Sequence, residues 1–254
     1  MIRRFLCLFL TLLILLSAPA ALAAKKTAAT PTPMPLEINP EPVDPPELIQ
    51  NLLDVAYNEW QTVNGKNMGG KNKYTTWYNN YDWGNNAWCA GFVTYCMLEA
   101  GIPQDTMENI QKGPEEAPEP VYHVKGSTPK KLFLGYLHMH RTTHIPQRGF
   151  VVLYGDGKSN GNVHVGLVFD AVPLGDGTYR LTTIEGAMRN TVRMYVYDYD
   201  PNAEDIKKNI IQVPKDERLQ DDTTTFTYEF HRSNKSSKVN WYVRYFLMPW
   251  DPGQ

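Results

Sequence analysis

Past Pro146 the chain stops repeating every three to four residues and begins to alternate. "GFVVLY", "NVHVGLVFDA" and "TYRLTTIEG" are consecutive period-two runs joined by Gly-, Asp- and Asn-rich turns. "VRMYVYDYD" continues the pattern and "NWYVRYFLMPW" reads as a closing strand. Connections this short make neighbouring strands antiparallel. The half before Pro146 has a different period. In "DPPELIQNLLDVAYNEW", Leu48, Leu52, Val55 and Ala56 fall at helical spacing, with Asp44 as a cap and prolines suited to a first turn. In "WCAGFVTYCMLEA", Trp88 to Ala100, an apolar stripe of Phe92, Val93, Cys96, Met97 and Ala100 ends at Gly101 and Pro103. Helices first and a meander afterwards predict an α+β domain, with N-terminal helices packed on an antiparallel sheet.

The N-terminus predicts export. Arg3 and Arg4 precede an apolar run from Phe5 to Leu16, and Ala21 and Ala23 form an A-x-A site, so residues 1–23 read as a cleavable signal peptide. The apolar run is short for a membrane anchor, and no later segment is long and apolar enough to span a bilayer. Residues 24–46 are Pro-rich, a composition suited to an extended tether. Residues 47–254 then form one domain, with candidate insertions near 104–145 and 201–238. We expect a secreted or wall-associated monomer. The formal net charge of −2 and the short basic runs exclude nucleic acid as an expected partner.

Signal cleavage removes Cys7 and leaves Cys89 and Cys96. Seven residues of helix separate them by roughly 10 Å, and a disulfide needs Cα atoms within about 7 Å. They cannot bridge each other. Cys89 lies at a helix N-terminus, where the helix dipole lowers a thiol pKa. On the second strand His164, Gly166 and Val168 share a face. Gly166 beside His164 is read as room for a helix end or a substrate. The next turn centres near Leu174-Gly175, which sets Glu185 opposite His164 to within two residues. A thiol, an imidazole and an orienting carboxylate are the parts of a cysteine hydrolase. Spacing alone leaves a second reading for each: a core cysteine, a structural histidine, a solvated strand end.

The motifs themselves carry a resemblance. "WCAGFVTYCMLEAGI" resembles the nucleophile helix of the CHAP family, the cysteine- and histidine-dependent amidohydrolase/peptidases related to NlpC-type cell-wall hydrolases. "KYTTWYNN" resembles its aromatic entry, "NVHVGLVF" its histidine strand, "TIEG" the strand after it and "YVRYFLMP" its closing strand. The resemblance covers most of residues 47–250. It implies a papain-like fold and cleavage of peptidoglycan amide bonds, by a muramoyl-alanine amidase or a peptide endopeptidase. Cys89 would be the nucleophile, His164 the general base and acid, Glu185 the orienting group, and the Cys89 N–H part of an oxyanion hole. Tyr78 near the site and Trp88 as a wall of the groove would lie beside the substrate, with plain core packing the equal alternative for both. Two positions depart from the pattern. Ala187 stands where the family often has Asn, and Phe150 where it usually has an acidic residue.

Other readings remain. His138, His140 and His144 in "HMHRTTH" have the residue types of a zinc site. No Glu of the H-E-x-x-H kind accompanies them, and Pro146 ends their element, so neither metal nor cofactor is expected. A wall-binding or scaffold module that kept the fold without turnover is the alternative function, and Ala187 is the residue that favours it.

Overall fold

In a computed structural model the described residues are 35–76, 88–156, 161–213, 225–227 and 241–253. The elements are α1 (Glu47–Val63), α2 (Lys73–Thr76), α3 (Cys89–Glu99), β1 (Gln104–Thr106), α4 (Met107–Ile110), β2 (His123–Lys125), α5 (Pro129–His138), β3 (Thr142–Thr143), β4 (Val151–Asp156), β5 (Asn162–Pro173), β6 (Tyr179–Met188), β7 (Thr191–Tyr199), β8 (Ile210–Ile211), β9 (Thr225–Thr227) and β10 (Trp241–Leu247). The period-two runs form the antiparallel path β3-β10-β4-β5-β6-β7-β8, and β9 adds to β7 in parallel. The fold is α+β, as the change of period predicts. No helix among the described residues is long and apolar enough to cross a membrane.

Helix α1 buries Ile49, Leu52, Leu53, Ala56, Trp60 and Val63 along one stripe. Its cap differs from the expectation. Pro46, not Asp44, stands at the N-cap, and no side chain caps the helix. Most of helix α3 lies in the core: Cys89, Ala90, Gly91, Phe92, Val93, Thr94, Cys96 and Met97 are buried, and only its last turn, at Leu98 and Glu99, is exposed. Three contacts hold it there. Tyr74 of α2 stacks on Trp88, with ring centroids 5.0 Å apart. Gly186 of β6 lets Phe92 approach. On a third side Thr94 meets His123.

That third contact comes from the segment 104–145, which the sequence leaves as a mixed insertion. It contributes the parallel pair β1–β2 and helices α4 and α5. His123, fully buried, accepts from the Tyr136 hydroxyl at Nδ1 (2.9 Å) and meets Thr94 Oγ1 at Nε2 (3.1 Å). Burial, with Lys125 nearby, pushes its pKa down to about 3. The ring is therefore neutral and ties α3 to α5 without carrying charge. The end of the Pro-rich stretch is also anchored. Gln147 donates to the Asn39 and Glu41 carbonyls and accepts from the Val43 N–H, and the Leu36 N–H donates to the Thr142 carbonyl.

The β5–β6 register falls at the edge of the expected two-residue window. The hairpin closes through Pro173↔Tyr179, a bulge follows between Val168 and Asp170, and pairing ends at Leu167↔Ile184. One further step puts Glu185 beside Gly166, two residues from His164. The room above Gly166 is taken by Glu185: a Cβ there would lie 2.5 Å from Glu185 Cγ. It is Gly186 that admits the helix, since a Cβ there would meet Phe92 Cβ at 2.4 Å and Trp88 Cζ3 at 2.9 Å. The Phe92 Cβ is fixed to its backbone and cannot swing aside. Gly186→Ala should therefore destabilise the protein by about 1–3 kcal/mol through overpacking, read as a lower denaturation midpoint. An unchanged midpoint would show that α3 does not press on β6.

Candidate active site

Where β5 stops pairing with β6, its backbone is released from the sheet on that side. The Val165 N–H turns to the Cys89 sulfur instead, and the Ala90 N–H joins it. Cys89 is the first residue of α3, so the first-turn N–H groups around it lack intrahelical acceptors. The His164 ring hydrogen-bonds the same sulfur. Its Nε2 lies 2.9 Å from Glu185 Oε2, which leaves Nδ1 as the nitrogen facing the thiol. The chain thus brings together Cys89, His164 and Glu185, the three residues singled out from the sequence.

Glu185 has no exposed surface, and its second oxygen is also occupied. Oε1 accepts from the Thr183 hydroxyl at 2.7 Å and from the Tyr154 hydroxyl at 2.6 Å. Tyr154 in turn meets the Tyr197 hydroxyl at 2.8 Å. Tyr154 stands directly across from His164 in the β4–β5 register, and their rings stack at 5.7 Å. Trp241 of β10 covers the imidazole more closely, at 4.8 Å. Sequence reading missed all four partners. Tyr154 carries a signal, a hydroxyl ending the otherwise apolar run "FVVLY", but it is legible only once the hairpin register is fixed.

The electrostatics follow from this geometry. Burial raises the Cys89 pKa, but the charged His164 ring, its hydrogen bond and the Val165 and Ala90 N–H groups outweigh that and bring it below the ordinary thiol value. Burial lowers the His164 pKa, but the Cys89 thiolate and then Glu185 push it up to about 9. Each member favours the charged form of the other, and Glu185 stands behind the ring. Both members are nearly covered, Cys89 at 2 % and His164 at 3 % exposure. Cys96 contrasts with them: fully buried, with Glu59 nearby, its thiol is pushed well above the ordinary value. Both thiols are free.

The remaining expectations divide. Trp88 has no exposed surface and packs between Tyr74 and Gly186, so it offers no face to a substrate in this arrangement. Tyr78 lies outside the described residues. The three histidines of 138–144 go separate ways. His138 meets the Gly113 carbonyl, His140 pairs with Glu115 at 2.9 Å, and His144 stacks on Tyr245. No group of metal-ligating side chains forms among the described residues. Phe150 is a core residue packed edge-on to Trp250. Ala187 adopts a left-handed φ of 65° in the bulge after Glu185, a conformation that Asn tolerates better than Ala.

Comparison with family models, with curated proteins and with solved structures finds no match to this chain.

The two thiols make a built-in control for the charge assignment. Iodoacetamide should modify Cys89 with a midpoint below the free-thiol value of about 8.5 and leave Cys96 untouched in the folded protein, as read by peptide mass spectrometry. His164→Ala should raise the Cys89 midpoint. Equal, slow labelling of both cysteines would contradict the ion pair.

Proposed function

We propose that this chain is a secreted cysteine hydrolase that cleaves amide bonds in bacterial peptidoglycan, with a papain-like domain of the CHAP type. The observation that supports the reading best is the contact of Cys89 with His164, backed by Glu185. The apolar leader and A-x-A site support export. The motif resemblance supports the substrate class.

The chemistry follows from the charges. The Cys89 thiolate attacks the amide carbonyl carbon, and the oxyanion is met by the Cys89 N–H at the start of α3. The C–N bond breaks as His164 Nδ1 gives its proton to the leaving amine, which leaves a thioester. A water then attacks, His164 takes its proton, and the thiolate departs. One water is consumed, and one carboxylic acid and one amine are formed. Glu185 accepts the Nε2–H throughout and orients the ring.

The non-catalytic module has one observation in its favour, the near-complete cover over Cys89 and His164. Assays on defined wall preparations separate the two readings. The hydrolase reading expects Cys89→Ala and His164→Ala to lose wall cleavage while keeping the fold, and Glu185→Gln to retain part of it. Mass spectrometry of the released fragments identifies the bond. Activity should be bell-shaped in pH. It falls on the acid side as the thiolate takes up a proton, and on the alkaline side near pH 9, where His164 loses the proton it must donate. Wall cleavage by folded Cys89→Ala at the wild-type rate would refute the reading.

A further inference from the structure

A carboxylate that orients an imidazole must itself be prevented from turning. Glu185 projects into the gap left by Gly166, and two rotations of its carboxyl would satisfy His164 almost equally unless the other oxygen were claimed. It is claimed by two hydroxyls. Thr183 lies two residues back on the same strand face, and its hydroxyl reaches Oε1 at 2.7 Å. Tyr154 reaches the same oxygen at 2.6 Å from β4, across the histidine strand. Because Tyr154 spends its one proton on Glu185, the 2.8 Å contact with Tyr197 has Tyr197 as donor. Tyr154, Thr183, Glu185 and Tyr197 are all without exposed surface.

We propose that Tyr154, aligned by Tyr197, is a positioning residue for the hydrolase: by occupying Glu185 Oε1 it reserves Oε2 for His164 Nε2 and so keeps Nδ1 aimed at the Cys89 sulfur. The inference rests on the hydrolase reading for its meaning in turnover, though its geometry is independent of the substrate. The same side chain fixes the imidazole from a second direction. Tyr154 is directly opposite His164 on the neighbouring strand and stacks on its ring. One residue therefore restrains both the ring and the carboxylate that holds it. Tyr197 reaches the site through the Tyr154 hydroxyl.

Tyr154→Phe keeps the ring and its stacking and removes only the hydroxyl. With the fold checked by circular dichroism, kcat on wall fragments should fall about tenfold with KM nearly unchanged. The midpoint of Cys89 labelling by iodoacetamide should move up in pH. A purely electrostatic role would move it the other way, because Glu185 stripped of a donor favours the imidazolium more. Tyr197→Phe, which leaves Tyr154 in place, should show the same changes more weakly, and the double variant should be no worse than Tyr154→Phe alone. Folded Tyr154→Phe with wild-type kcat and an unmoved labelling midpoint overturns the positioning role while leaving the hydrolase intact. Wild-type protein whose Cys89 labels rapidly but cuts no wall refutes the proposed function instead. The labelling midpoints of the two phenylalanine variants then decide the positioning role.

Discussion

A fully buried carboxyl group sits behind the histidine, and the surrounding architecture is arranged to tolerate it. Removing an ionised carboxylate from water costs several kcal/mol even after relaxation, and the cost is recovered only when its lone pairs are filled and an opposite charge stands close. Glu185 has its lone pairs engaged by Thr183, Tyr154 and His164, and the imidazolium supplies the charge. These donors come from β4, β5 and β6, with Tyr197 of β7 behind them. A sheet with this strand order is therefore a condition of the site.

Helix and sheet meet through an interruption. If β5 and β6 stayed paired to their ends, the Val165 N–H would have no cause to reach a sulfur. Pairing stops at Leu167↔Ile184, and the bulge between Glu185 and Met188 carries β6 away. Gly186 then admits Phe92, and α3 brings Cys89 to the opening. Stability and function pull against each other here. Ladder hydrogen bonds are given up, and Ala187 takes a left-handed conformation that costs energy for a residue with a Cβ.

Much of this was legible in the chain. The change of period at Pro146 is visible because the meander strands alternate so regularly, and α3 is marked by its apolar run and the Gly101 and Pro103 stop. His164 and Glu185 were within reach because hairpin counting is short-range. The two-residue offset in register came from the turn, which centres at Asp176 rather than between Leu174 and Gly175, and the bulge at Val168–Asp170 takes back one residue of it. The Asp44 cap failed because capping depends on backbone angles at Pro46 that composition does not report. Tyr154, Tyr197 and Trp241 stayed hidden because each joins the site across strands. Trp88 is buried in the core, one of the two roles that an aromatic beside a nucleophile reads for equally well.

Nitrogen-15 NMR of the His164 ring tests the central claim most directly. A thiolate–imidazolium pair predicts that both ring nitrogens are protonated at pH 7, and that replacing Cys89 by Ser lowers the His164 pKa because the negative charge beside it is gone. A neutral imidazole at pH 7, or a pKa indifferent to Cys89→Ser, would contradict the account.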